Sequence, residues 1–265
     1  MKVQRIVCWF SCGAASAVAT KIMLQQASKL YPDVPVVVAN SPIIEEHPDN
    51  ERFFKECEQW FGQEIIKLYN PQYPEGKNSI YEVFSRRNFL KGPNGAPCTM
   101  QLKRIPRGSF QHYADLHIFG YDLTEMDRAQ EFEEKNPTLN TYLPLIEAEL
   151  TKADCLAMLQ DANIDLPAMY KLGYLNNNCI GCVKGGAGYW NKIRKDFPEV
   201  YERMSKVERE IGHSILKNDD GPVFLDELKP NVGRYKDEPD IDCSFSCVIA
   251  KEDNDWSAVK FKEAV

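Results

Sequence analysis

The chain has 265 residues, 43% of them hydrophobic and 27% charged, with nine cysteines and a net charge of −7. That length suits one large domain, or one domain plus a small appendage, with a core that folds without a metal or disulfide, and the composition excludes a largely disordered chain. The longest apolar run, Val34 to Ala39, is far too short to span a membrane, and the acidic average argues mildly against nonspecific polynucleotide binding.

Arg5 to Phe10 reads as a short strand, too short to be a signal-peptide core. The expected location is therefore cytoplasmic, where cysteines serve as thiols, metal ligands or redox groups rather than disulfides. Ser11-Cys12-Gly13-Ala14-Ala15-Ser16 is a small-residue turn, after which Ala15, Val18, Ala19, Ile22, Met23 and Leu30 fall close to helical spacing. Pro32-Asp33 breaks that helix, and residues 35–39 form a fully apolar strand of the kind buried in a parallel sheet. A helix is expected over 48–61, a strand over 64–69, and another over 116–119 that ends in Gly120-Tyr121-Asp122. This alternation predicts an α/β fold with a doubly wound, mostly parallel sheet.

Thr151 with Asp154 three residues on is a capping-box start for a helix to Gln160. After Tyr174 the composition shifts to Asn, Gly and Cys. Tyr189 to Ile211 reads as one charged amphipathic helix, and the tail from Asn218 as loop-rich and packed on the main body. The expected division is a first, α/β domain over 1–175 and an extension over 176–265, helical and loop-rich, that carries a Cys-x-x-Cys segment.

A small-residue turn between a buried strand and a helix lets backbone N–H groups reach phosphate oxygens, aided by the helix dipole. The alternative is an ordinary loop whose small residues only permit close packing. The turn lacks the second and third glycines of the dinucleotide fingerprint and the Gly-Lys-Ser/Thr of the P-loop. Cys179-Ile180-Gly181-Cys182 is a two-ligand knuckle in which Gly181 lets the turn bring both sulfurs to one ion, the alternative being two buried thiols.

From Val7 to about Cys182 five segments, in order, carry a likeness to a known family. They are the Ser11–Ser16 turn, the strand that ends at Asn40, Cys98-x-x-x-Leu102-Lys103-x-x-Pro106, Gly120 to Arg128-Ala129, and the stretch from Pro144-Leu145 to Cys179-x-x-Cys182. Together they resemble the phosphoadenosine phosphosulfate (PAPS) reductase family of the adenine nucleotide α-hydrolase, or PP-loop, superfamily. The resemblance implies an adenine nucleotide (ATP or PAPS, with Mg2+ as an accompanying ion) whose phosphates lie on Ser11, Cys12, Gly13, Ala14 and Ser16. Asn40 would then lie near the base or ribose, Gly120 and Asp122 in the nucleotide-contacting loop, and Arg128 against phosphate or sulfate charge. It further implies that Cys98, Cys179 and Cys182 meet at a [4Fe-4S] cluster, with zinc as the rival ion and Cys243 or Cys247 as an optional fourth ligand.

Two departures bear on the reaction. Ala15 stands where ATP pyrophosphatases of the superfamily usually carry Asp, which weakens the case for α–β cleavage of ATP. The family's C-terminal Glu-Cys-Gly-x-His is absent, leaving Cys243 and Cys247 as the tail pair, open to a role as nucleophile, ligand, redox couple or plain thiols. Cys8, Cys57 and Cys155 are expected in the core, and His47, His112, His117 and His213 show no ligand or triad spacing.

From Arg86 to Arg107 six bases (Arg86, Arg87, Lys91, Lys103, Arg104, Arg107) occur without one acid. Such a stretch can grip sulfate, phosphate or the backbone of tRNA or DNA, or be a solvated face. Lys184, Lys192, Arg194 and Lys195 form a second group around Gly185-Gly186-Ala187-Gly188, which resembles an anion-binding loop. Three functions stay open: sulfonucleotide reduction with a tail cysteine as nucleophile and Arg128 on the charge, ATP-dependent thiolation of a nucleic acid, and nucleotide binding without catalysis around a structural zinc. No membrane partner is expected, and the oligomeric state is open, a dimer being one option.

Overall fold

A computed structural model of the chain describes residues 2–93, 95–238 and 241. Its centre is a five-stranded, all-parallel sheet in the order β3-β2-β1-β4-β5, formed by β1 (Arg5–Trp9), β2 (Val36–Asn40), β3 (Ile65–Lys67), β4 (Asp115–Ile118) and β5 (Asn140–Tyr142). Along β1 the registers are Ile6 to Val36 and Cys8 to Val38 on one side, and Ile6 to Leu116 and Cys8 to Ile118 on the other. Helices cover both faces, so this is an α/β fold, and β1 is apolar on both sides as a central parallel strand must be. Ile6, Cys8 and Phe10 enter the core beneath α1 (Ala14–Leu30) and α2 (Asn50–Phe61). Val7 and Trp9 face the opposite core with Phe119, Tyr121 and Phe132.

The helices follow from local rules. In α2 Phe53, Cys57 and Phe61 recur every fourth residue on the buried face, and Gly62 ends the helix in the left-handed region. After α3 (Ile80–Arg87) come one turn, α4 (Pro97–Thr99), a π-helical stretch over Met100–Arg104, and α5 (Ile105–Phe110). Pro106 has no N–H to return to Leu102, and a π register accommodates that gap. Beyond β4 lie α6 (Met126–Lys135), α7 (Pro144–Glu147), α8 (Lys152–Asp161) and α9 (Ala168–Lys171). The capping box at α8 forms as expected: Thr151 Oγ1 caps Asp154 N and the Asp154 carboxylate accepts from Thr151 N at 2.8 Å.

The expected single helix over 189–211 is two helices, α10 (Ala187–Asp196) and α11 (Pro198–Ile211). Pro198 is the cause, since it lacks an N–H and pushes Phe197 out of helical geometry, to φ −140° and ψ 67°. An antiparallel hairpin of β6 (Leu216–Asn218) and β7 (Gly221–Val223) follows where loop was expected. Further short elements escaped the sequence reading, among them α3 and β5, the latter three residues on the sheet edge. No helix among the described residues is long and apolar enough to cross a membrane.

A third core joins chain-distant pieces. Tyr73, Phe84, Leu90 and Cys98 pack with Cys179, Cys182, Trp190, Met204 and Leu225 in one buried cluster. Cys8, Cys57 and Cys155 are fully buried in the sheet core, and burial is the main cause that holds their thiols far above the usual range.

Candidate functional site

The strand order turns back on either side of β1, and a cleft opens where β1 and β4 end. Open α/β sheets bind ligands at such a point. The cleft with the open space at its mouth takes in about 1010 Å3.

One wall is the Ser11–Ser16 turn. Gly13 is extended before α1 and, as the N-cap residue, offers no side-chain cap, and no acid stands in the first turn. The end of a 17-residue helix therefore presents its amides and positive dipole to the cleft. Ser16 Oγ ties the turn together: it accepts from Ser11 N and Ser11 Oγ, both at 3.0 Å, and donates to Gly13 O at 3.0 Å. The Tyr170 hydroxyl accepts from Ala14 N at 3.3 Å. Burial pushes that phenol up to about 12, so it stays a neutral O–H beside the turn.

Gly120 closes the facing side. A Cβ there would lie 2.6 Å from both N and Cα of Ser16, so the loop after β4 rests directly on the first turn of α1. The aromatic rings of Trp9, Phe119 and Tyr121 supply apolar wall, and Lys103, Arg128 and Lys152 supply cations.

Of the residues expected at a nucleotide, Ser11, Gly13, Ser16, Asn40, Gly120, Asp122 and Arg128 line the cleft. Cys12 and Ala14 are not among its lining and are buried behind the turn. Cys12 holds φ 61°, a conformation the tight turn imposes at that position. Its Sγ points to Asn50 O at 3.7 Å, and burial drives its thiol well up. Asn40 Nδ2 donates to Phe10 O at 2.8 Å, which ties the ends of β2 and β1 together. Asp122 Oδ1 accepts from Thr124 N at 2.9 Å, so its carboxylate organises the turn that leads to Arg128. Arg128 is ion-paired with Glu125, whose own carboxyl burial pushes up.

The three candidate ligand cysteines, Cys98, Cys179 and Cys182, are buried in the same apolar cluster. Gly181 turns the knuckle at φ 77°. The Tyr189 hydroxyl seals its inner side, accepting from Gly181 N at 3.0 Å and Cys182 N at 2.9 Å while donating to Cys179 O at 3.3 Å. Lys91 lies within electrostatic reach of Cys182, and its ammonium is held below the usual lysine range by burial. Three buried thiols beside lysines suit an anionic sulfur site, yet among the described residues no group of three or more Cys, His, Asp or Glu is arranged to hold a metal ion. Cys243 and Cys247 lie outside the described residues.

Both cysteine segments reach the cleft. Asn176, Asn177 and Asn178 line it immediately before Cys179, and Lys103 lines it five residues after Cys98.

The basic run does not form one face. Arg86 lies exposed over the Tyr73 ring, Lys103 is buried at the cleft 3.9 Å from Glu46, and Arg107 is buried above Phe132, where burial pulls its guanidinium down to about 10. At the glycine run that leads into α10, the first-turn amides of the helix take the chain's own carboxylate: Glu238 accepts from Gly188 N at 2.5 Å and Tyr189 N at 3.0 Å. None of the four histidines lines the cleft. His117 accepts from Trp9 Nε1 at 3.1 Å, and burial lowers its ring to about 4, so it is neutral.

Ser41, Lys152 and Asn177 were not expected at the site. The run of three asparagines ahead of the knuckle was the one available signal. No family model matches the chain, and no curated protein matches it significantly.

Proposed function

We propose that the chain is an enzyme of the PAPS-reductase type, with the adenine nucleotide α-hydrolase architecture, that binds an adenine nucleotide in the cleft and acts in sulfur chemistry. The observation that carries this reading is the meeting of three features at one cleft: the start of α1 with its glycine N-cap and turn, a set of cations, and both cysteine-bearing segments. The turn amides and Tyr170 would hold phosphate oxygens, Lys103, Arg128 and Lys152 would neutralise phosphate or sulfate charge, and the aromatic wall would take the nucleoside.

Cys98, Cys179 and Cys182 are the residues that would hold an iron–sulfur cluster or zinc. A cluster would supply electrons or sulfur, whereas zinc would supply structure. Ala15 lines the cleft without a carboxylate for Mg2+, which favours a sulfonucleotide over α–β cleavage of ATP. ATP-dependent thiolation of a nucleic acid is the second reading, favoured by Lys91 beside Cys182, which suits a thiolate or persulfide more than a bare structural ion.

Titration of ATP and PAPS against anaerobically purified protein, with metal analysis and a visible spectrum, tests the binding claims. Sulfite release from PAPS supports reduction, and pyrophosphate release from ATP with RNA or DNA supports thiolation. Absence of nucleotide binding would overturn the reading. A colourless zinc protein would leave only the nucleotide half of it.

A further inference from the structure

Two polar atoms in the cleft are buried and lack a hydrogen-bond partner among the described residues: Ser41 Oγ and Asn177 Oδ1. Both residues line the cleft, and each is only 6% exposed. Leaving a buried polar group without a partner forfeits its hydration with nothing in return, so such groups call for an explanation.

The polarity of Asn177 is fixed by its neighbours. The Glu46 carboxylate only accepts, and it takes Asn50 Nδ2 at 3.3 Å. That leaves Asn50 Oδ1 as an acceptor, which takes Asn177 Nδ2 at 2.8 Å, while the same nitrogen donates to Cys12 O at 2.7 Å. Turning the Asn177 amide over would set its oxygen against two acceptors. Its Oδ1 is therefore held as the remaining atom, and it can only accept. A phosphate or sulfate oxygen cannot satisfy it. A hydroxyl or an amine can.

We infer that Asn177, with Ser41, is a specificity-determining residue that takes a hydrogen-bond donor of the nucleoside part of the ligand, a sugar hydroxyl or the base amine. This rests on the proposed nucleotide reading of the cleft. Asn177 also joins the turn through Cys12 O and stands two residues before Cys179. The residue that reads the nucleoside thus belongs to the segment that presents the cysteines.

Equilibrium titration with ATP, 2′-deoxy-ATP, 3′-deoxy-ATP and inosine triphosphate (amine replaced by carbonyl) identifies the donor, with inorganic tripolyphosphate as the phosphate-only probe. Wild type should bind one analogue about tenfold more weakly than ATP, equivalent to about 1.4 kcal/mol. Asn177→Ala should bind ATP and that analogue alike while keeping its tripolyphosphate affinity. Ser41→Ala keeps the test independent of folding defects, because it deletes an unpartnered hydroxyl. The ligand-free protein should unfold at the same temperature or higher, while ATP affinity falls several-fold, a combination that a packing role cannot produce. Equal binding of all analogues by wild type would mean that ordered water alone fills these positions and would overturn the inference. So would discrimination that survives in Asn177→Ala, or unchanged ATP affinity in Ser41→Ala. If wild type binds tripolyphosphate and no nucleotide, the nucleotide reading and this inference fall together.

Discussion

A Cβ at position 120 would sit 2.6 Å from backbone atoms of Ser16, and backbone cannot swing aside as the end of a side chain can. Gly120→Ala is expected to lower stability by about 1–3 kcal/mol and to weaken nucleotide binding, because the turn must shift to admit it. Thermal unfolding with an ATP titration checks both, and a variant indistinguishable from wild type would show that the close approach is not maintained. Gly181 poses a different problem, combining φ 77° with a Cβ position 2.7 Å from Val200 Cγ1. Gly212, at φ 72°, has open space around its Cβ position. Alanine at position 212 should cost only the left-handed penalty, about 1–2 kcal/mol. Alanine at position 181 should cost that plus the collision with Val200. Denaturant unfolding of the two variants measures the difference, and equal losses would mean that the knuckle yields freely.

Elements differ in how plainly the chain announces them. The β1-turn-α1-β2 unit was legible because apolar runs, small residues and Pro32 mark its parts by composition, and α8 because a capping box is a local motif. The short β5 was hidden, since three edge residues carry no periodicity and gain their strand geometry from pairing with β4. The amphipathic pattern of α10 and α11 runs through Phe197, which masked the break that Pro198 imposes. The Ser11–Ser16 side of the cleft was legible for the same reason as its strand and helix. Ser41 and Asn177 were not, because a missing hydrogen-bond partner exists only once the chain is folded. Glu208, on the buried face of α11, is a further case. Its carboxylate accepts from Ile215 N and from Leu225 N at 2.6 Å, joining the helix to the hairpin region. Burial dominates those bonds and raises its carboxyl from 4.5 to about 7. The folded state therefore binds the proton more tightly than the unfolded chain. The stability this supplies is fully present below the unfolded value near 4.5 and is lost as pH rises through about 7. Glu208→Gln should be less stable at pH 5 and should lack this downward slope between pH 5 and 8. Parallel pH profiles of the two proteins would show that the carboxyl is not raised.

At the scale of the whole molecule, the cysteine-bearing core is built from segments on both sides of the β4-β5 half of the sheet, and the last described stretch returns across it. Glu238 clasps the amino end of α10 through Gly188 N and Tyr189 N, and the Tyr235 hydroxyl accepts from Leu175 N at 2.8 Å. Three residues after Glu238, Ile241 lines the cleft, and its carbonyl accepts from Asn178 Nδ2 at 2.9 Å. The clasp thus holds the return of the chain over a cleft whose floor is made elsewhere. An anion at a helix start contributes about 0.3–2 kcal/mol, beside the rings of Tyr174 and Tyr189 that meet Tyr235. Glu238→Gln keeps the size and removes the charge, so it should weaken the clasp without touching the Ser11–Ser16 turn. The expected result is faster nucleotide dissociation, several-fold by stopped flow, together with earlier cleavage of the segment around residue 235 in limited proteolysis. Raising the salt concentration should move wild type part of the way toward the variant, because the clasp is an ion against a dipole. If both the dissociation rate and the cleavage pattern stay as in wild type, Ile241 is held at the cleft by its own contacts and the carboxylate only caps α10.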